Sequence, residues 1–250
     1  MNKTFFIGLC LAVQAVANPF FPGETSAYEV SYFGIPMGEA HILVGAAMQQ
    51  EAHLVWPIIL IGRTKPFQPY PINDKLVIYW NPETKKSMGV DAFFEENKKR
   101  RREKIRFHYP THSASVVSQK EGEPAQSATY AIGQETMDIT AAAFFLRHQP
   151  LQEGQTFELP VFTGKKSLSL QASILGKRRV KTRLGETEAF LVLVRSNFGG
   201  NLAAKRDIRL FLSADEQRIP LLIEAELVLG TLVAELVRHE PGKMPPPTGP

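Results

Sequence analysis

The chain has 250 residues and a formal net charge of +4 at pH 7, from 29 Lys and Arg against 25 Asp and Glu. This length suits a single β-rich domain, and the small positive charge comes from one local cluster rather than from a uniform bias. The single cysteine, Cys10, excludes an intrachain disulfide framework.

The first seventeen residues have the layout of a cleavable secretory signal peptide. Lys3 precedes an apolar run from Phe5 to Val13, and the segment closes on small residues ending at Ala17. The apolar run is far shorter than the ~20 residues of a membrane-spanning helix. Cys10 lacks the small preceding residue of a lipoprotein site, because Leu9 stands there. We therefore expect cleavage at the end of this segment, export to the periplasm, and a mature protein without cysteine.

After an irregular lead-in over residues 18–26, residues 27–240 form one β-rich domain. Turn signals recur about every 8–12 residues, the spacing of antiparallel all-β folds. The first hairpin is the clearest, with alternation over 28–33, a turn over 34–38 and a return over 40–44. Further strands are predicted at 54–61, 76–80, 85–94, 102–109, 157–162, 168–175, 178–183, 189–196, 205–212, 219–227 and 231–238.

A basic run over residues 98–106 is the strongest local charge feature. It predicts a candidate site for the phosphate head groups of lipids, or for an acidic partner, at Lys98, Lys99, Arg100, Arg101 and Arg102. The alternative is that these side chains only solvate a hairpin and guard a sheet edge. Nucleic acid is not an expected partner, because the protein is predicted to be exported.

The sequence carries no motif for metal, cofactor or nucleophilic chemistry. His108 and His112 are four residues apart, but Pro110 lies between them and the segment is typical of a strand end and a turn. There is no Gly-x-Ser-x-Gly elbow and no Gly-x-Gly-x-x-Gly loop. We therefore predict no enzyme activity, no cofactor and no metal site.

One helix is predicted at about residues 138–148. Asp138 is a suitable N-cap and Pro150 stops the helix. Apolar side chains then recur with helical spacing at Ile139, Ala142, Ala143 and Leu146. Phe144 and Phe145 extend the apolar face around most of the circumference, which is typical of a buried helix. The pattern favours a mainly β fold, a large curved antiparallel sheet or open half-barrel with this helix in its concavity.

The sequence ends in a tail over residues 241–250 that holds five prolines and two glycines. Such a composition predicts a disordered end. Beyond the signal peptide there is no run of about 18 apolar residues, so we expect no transmembrane helix in the mature protein. The predicted strands are also shorter and less regular than those of an outer-membrane barrel.

Four blocks stand out in order along the chain: Tyr28–Ala40, Pro71–Lys75, Asp138–Arg147 and Leu212–Pro220. Together they resemble a bacterial family known as domain of unknown function 3108, over roughly residues 28–236. Phe211 departs from the tryptophan that many relatives have at that place. The resemblance implies an exported, β-rich envelope protein and brings no activity or catalytic residues. Its general look is similar to the half-barrels of periplasmic lipoprotein carriers, which hold acyl chains against a concave sheet.

Four charged residues, Asp138, Arg147, Asp215 and Arg218, lie within these blocks or at their ends. They would form either a polar site beside a cavity or a set of local structural contacts. We favour the structural interpretation, in which Asp138 caps the helix, Asp215 forms a turn, and the arginines pair locally.

These features predict an exported cell-envelope binding protein without enzyme activity. Its ligand would be a lipid, an acyl chain or a lipidated molecule held in the concave sheet, with the basic cluster at the rim. The alternative is a structural or assembly factor that binds another envelope protein, with its concavity filled by its own side chains. An enzyme acting on an envelope polymer is a third possibility, because strands can bring together carboxylates that are distant in sequence.

Overall fold

The computed structural model describes residues 18–196, 207–227 and 230–244. The predicted signal peptide over 1–17 and the last part of the tail, 245–250, lie outside the described residues. One α-helix, α1, spans Ile139–Arg147, and a 3-10 helix spans Tyr109–Thr111. The described strands are β1 (Thr25–Tyr32), β2 (Ile35–Val44), β3 (Met48–Gln50), β4 (His53–Thr64), β5 (Asn73–Asn81), β6 (Lys86–Glu96), β7 (Lys99–His108), β8 (Ser113–Lys120), β9 (Gln126–Ala131), β10 (Thr156–Phe162), β11 (Ser167–Thr182), β12 (Gly185–Ser196), β13 (Ile208–Ser213), β14 (Pro220–Glu226) and β15 (Thr231–Glu240).

The strands form one antiparallel sheet that curves without closing. Its order is β10-β11-β12-β13-β14-β15-β1-β2-β4-β5-β6-β7-β8-β9, with β3 paired to β4. The first and last strands meet at the centre of the sheet, because β1 pairs with β15 as well as with β2. The predicted fold class, a mainly β curved sheet with one buried helix, is confirmed.

Two long strands, β4 and β11, contain residues that usually interrupt a strand. Residues 167–182 form one strand rather than two, and Gly176 lies in a bulge with a φ of 93°. A glycine adopts this backbone without strain, so it kinks the strand instead of ending it. β4 is internal in the sheet although it contains Pro57, which has no backbone N–H to donate. Pro57 fits because it lies between the β4 segments that pair with β2 and β3, where no ladder bond needs its missing N–H.

The core lies on the concave face, where α1 packs against β5, β6 and β10. The Asp138 carboxylate caps this helix by accepting hydrogen bonds from the Thr140 and Ala141 amides, each 2.9 Å long. Phe144 is buried against Trp80, whereas Ile139, which the helical pattern placed on the apolar face, is half exposed. Among the described residues, no helix has the length and hydropathy needed to cross a membrane.

The lead-in was predicted to run to residue 26, whereas β1 begins at Thr25, and the residues before it are part of the core. Phe20 is buried, and its ring lies 4.7 Å from that of Phe144 and 5.7 Å from that of Trp80, measured between centroids. The first residues of the tail lie beside this segment, since the Lys243 amide donates a 3.0 Å hydrogen bond to the Pro22 carbonyl. Both flanks of the domain therefore cover the helix-bearing end of the sheet.

Replacing Gly38 with alanine is expected to lower the free energy of unfolding by about 1–3 kcal/mol. A Cβ atom there would lie 2.4 Å from the Arg63 carbonyl oxygen, so β2 and β4 would have to move apart. Gly62→Ala is the matched control, because a Cβ at Gly62 meets nothing within 4 Å. Urea unfolding of both variants checks the prediction, and equal stability of the two would contradict it.

Candidate functional site

An apolar cavity of about 440 Å³ lies on the concave face, beyond the end that α1 fills. Its floor follows from the pairing of β2 with β4. The pair Ile42–Leu60 packs against the core, whereas the next pair along this face is Ala40–Gly62. Because residues two apart in a strand face the same side, large side chains give way to small ones towards the open end. The sheet therefore leaves a depression where Gly38, Ala40 and Gly62 take the place of larger residues.

The walls of this cavity come from neighbouring strands and loops. They include Tyr32, Tyr70, Ile72, Leu227 and Leu232. The volume lies within the range of about 300–1,000 Å³ that is typical of small-molecule sites. The lining is almost wholly apolar carbon, so the cavity is suited to an aliphatic chain.

The segment that carries Tyr70 is fastened beside the cavity by polar contacts of the block Pro71–Lys75. The Asp74 carboxylate accepts a 3.0 Å hydrogen bond from the Glu95 amide, and burial raises the pKa of Asp74. The Asn73 side chain accepts from Arg63 Nε at 3.1 Å and donates to Glu95 at 3.2 Å. These bonds join β4, β5 and β6 at the mouth of the cavity.

A second cavity, of about 550 Å³, lies next to the first and is strongly charged. Tyr70 lines both cavities. Four of the five predicted head-group residues, Lys98 to Arg101, line the charged cavity together with Lys120. Arg102 does not line this cavity; it lines two smaller depressions with Phe93, one of which Arg100 and Arg101 also line.

The strand period of two places Arg101 on one face of β7, and Arg100 and Arg102 on the other. Arg101 faces the concave side, where its guanidinium lies 4.1 Å from the Phe94 ring centroid and 2.7 Å from Glu103 Oε2. Arg100 points to the other side and pairs with Glu95 at 3.0 Å. The hydrogen bond that Arg100 donates to the Glu95 carboxylate raises the pKa of Arg100.

Lys98, in the β6–β7 turn, and Lys99, at the start of β7, differ from these arginines. Neither Lys98 nor Lys99 forms an ion pair with a carboxylate in the described part of the chain. Both side chains line the charged cavity and are exposed. They are therefore the cations best placed to meet an anionic group at this site.

The charged residues of the four sequence blocks form contacts that stabilise the fold. Asp138 caps α1 as predicted, and Asp215 forms the predicted turn by accepting hydrogen bonds from Ser213 and the Gln217 amide. Arg147 does not pair locally. It is buried and binds the Glu24 carboxylate through two hydrogen bonds of 2.7 and 2.9 Å.

The two histidines four residues apart lie at the other end of the sheet. His108 Nε2 lies 3.0 Å from Ser115 Oγ, and His112 has a left-handed backbone with a φ of 49°. The 3-10 helix with Pro110 separates them. Within residues 18–196, 207–227 and 230–244, no three His, Cys, Asp or Glu side chains form a group that would hold a metal ion.

Comparisons with known proteins address the family and the fold. A solved structure, a β-barrel-like protein of domain of unknown function DUF1849 from Brucella abortus, is similar with a TM-score of 0.61. The two chains are 9% identical, and the match covers 90% of this chain and 100% of the other. At this identity the likeness concerns the fold alone. In a comparison with curated proteins, none matches this chain.

The family model described as "Protein of unknown function (DUF3108)" matches residues 27–237. This range runs from within β1 to within β15 and contains every residue that lines either cavity, the four sequence blocks and α1. The chain belongs to the DUF3108 family.

Proposed function

We propose that this protein is exported to the cell envelope and there binds an amphiphile with an acyl chain and an anionic head group. The acyl chain would occupy the apolar cavity on the concave face, and the head group would lie against Lys98 and Lys99. The observation that carries this proposal is that the apolar and the basic cavity adjoin, with Tyr70 lining both.

The energetics favour such a ligand. Each methylene moved from water into an apolar site contributes about 0.8 kcal/mol, so about ten methylenes contribute the ~8.2 kcal/mol that corresponds to micromolar affinity, before the cost of association is subtracted. A nearby lysine contributes about 1 kcal/mol towards an anionic lipid group. The two cavities would thus supply chain affinity and head-group selectivity separately.

Filling the apolar cavity tests the first half of the proposal. We expect Gly62→Phe to weaken binding of a dansyl-labelled undecanoic acid by at least about tenfold, because the ring displaces methylenes worth about 0.8 kcal/mol each. The space around Gly62 accepts the added side chain without a clash at Cβ. The measurement is a fluorescence titration of the purified mature protein.

The matched control is Ile61→Phe, which adds the same ring to the opposite face of β4. It should bind the probe as the wild type does. Equal affinity of both variants and the wild type would contradict a ligand in this cavity. The double variant Lys98→Glu/Lys99→Glu tests the head-group half, with Lys75→Glu/Lys104→Glu on the outer face as its control.

Mass spectrometry of lipids extracted from protein purified from its native host identifies the natural ligand. Reproducibly empty protein that takes up no fluorescent acyl probe would refute the proposal. A stoichiometric protein partner in crosslinked samples, without lipid, would instead support a role as an assembly factor.

A further inference from the structure

Apolar side chains project from several loops at the open end of the sheet. Neighbouring antiparallel strands place the β1–β2, β4–β5 and β14–β15 connections at the same end. Phe33 and Ile35 on the first connection are 67% and 62% exposed, and Phe67 on the second is fully exposed. Tyr70 and Leu227, on the second and third connections, are partly exposed and line the apolar cavity.

The positions of these side chains are held by the backbone. Phe33 and Phe67 both have left-handed backbone conformations, with φ of 52° and 66°. The Phe33 ring lies over Gly230, where a Cβ atom would come within 2.5 Å of it. It also contacts Tyr32, with 4.6 Å between ring centroids. Phe33 is therefore held at the tip of its hairpin, facing outwards, rather than folded back onto the core.

Lysine side chains lie at the same end of the sheet as these exposed apolar side chains. Lys65 precedes Phe67 on the β4–β5 connection, whereas Lys98 lies in the β6–β7 turn and Lys99 at the start of β7. Lys65 is 3.5 Å from Glu29, whereas Lys98 and Lys99 form no ion pair with a described carboxylate.

The lining of the charged cavity carries more basic than acidic residues. Five basic residues line it together with Glu96, Glu121 and Glu123. Glu121 lies 3.5 Å from Arg100 and Glu123 lies 3.4 Å from Lys120, whereas Glu96 forms no ion pair with a described basic residue. The formal charge of this lining is therefore positive.

We infer that this rim docks on an anionic lipid bilayer, with Phe33, Ile35 and Phe67 entering the interface and Lys98 and Lys99 meeting the lipid phosphates. Separate aromatic tips flanked by lysines match a bilayer interface, where aromatic rings and cations both find partners. The mouth of the apolar cavity faces the same side, so an acyl chain would pass between bilayer and cavity without crossing water. The docking itself does not depend on a bound ligand.

Flotation with lipid vesicles tests the inference. The mature protein should float with vesicles of equimolar phosphatidylglycerol and phosphatidylcholine, and much less with phosphatidylcholine alone. Phe33→Ser/Phe67→Ser should weaken this binding by roughly tenfold or more, because two exposed rings no longer enter the interface. Leu54→Ser/Leu184→Ser is the matched control, since both leucines are about half exposed at the opposite end of the sheet.

Absence of binding to the anionic vesicles, or an equal loss in the control variant, would overturn the inference. The result is separable from the proposed ligand site. Phe33→Ser/Phe67→Ser should keep the affinity for dansyl-undecanoic acid in vesicle-free buffer, and Gly62→Phe should keep the affinity for vesicles.

Discussion

Replacing Arg147 with methionine is expected to lower the free energy of unfolding by about 3–5 kcal/mol, the cost of removing one partner from a buried ion pair. The Arg147 and Glu24 side chains are only 1% and 5% exposed, so the remaining carboxylate would lose its counter-ion in a site that excludes water. Arg147 also donates to the carbonyls of Pro19 and Gln217, at 3.2 and 3.0 Å. Its loss would release the lead-in and the β13–β14 turn together.

Urea unfolding followed by tryptophan fluorescence measures this loss. Arg179→Met is the control, because Arg179 forms an exposed pair with Glu186 at 3.8 Å, and its removal should change stability by less than about 1 kcal/mol. Adding Glu24→Gln to Arg147→Met should recover part of the loss, because no charge is then left unpaired. A stability of Arg147→Met equal to that of Arg179→Met would show that the buried pair is dispensable.

The ion pair of Arg147 with Glu24 could not be predicted from the sequence, although the helix that carries Arg147 could. The helix and its Asp138 cap follow from local spacing, and the structure confirms both. Glu24 lies 123 residues from Arg147, in a lead-in with no periodic signal, so no local pattern predicts their contact. Phe20 is missed for the same reason, because its burial depends on how the lead-in crosses the finished sheet.

The candidate site, too, could be predicted from the sequence only in part. The basic run is visible in the sequence, but only strand pairing decides that Arg101 lies on the concave face of β7 and Arg100 on the opposite face. The floor of the apolar cavity did carry a signal, since Gly38, Ala40 and Gly62 fall at alternate positions of two neighbouring strands. That signal can be used only when the register is known, because a shift by one residue would turn these residues to the other face.

Acidification from pH 7 to about pH 4.5 is expected to destabilise the protein through His148. The imidazole is buried, stacks on Trp80 with 5.7 Å between ring centroids, and meets the Phe20 ring edge at 5.2 Å. Burial, with Lys85 and Arg147 nearby, lowers the pKa of His148 from 6.5 to about 3. Below about pH 6.5 the His148 imidazole therefore binds a proton in the unfolded chain but stays neutral in the folded protein. Stability falls as the pH drops from about 6.5 towards 3.

At about pH 4.5 the loss from this one group amounts to roughly 2–3 kcal/mol, at 1.36 kcal/mol for each pH unit below 6.5. His148→Phe keeps an aromatic ring beside Trp80 and removes the titration, so its unfolding free energy should fall less steeply with acid. In His148→Phe, His239 still contributes to the fall of the unfolding free energy with decreasing pH, because burial lowers the pKa of His239 as well. Asp138 and Asp74 act in the opposite direction, since burial raises the pKa of each carboxyl.

The difference in the pH dependence of unfolding free energy between the wild type and His148→Phe gives the contribution of His148, because the other titrating groups are common to both proteins. Urea unfolding at several pH values between 7 and 4.5 measures it, with His53→Phe as the control, since His53 is exposed. A wild-type slope that parallels the slope of His148→Phe would mean that the folded protein accepts the proton. The core around Trp80, Phe20 and Phe144 would then have to admit a charge, and the packing between the lead-in and α1 would be looser than the ring contacts show.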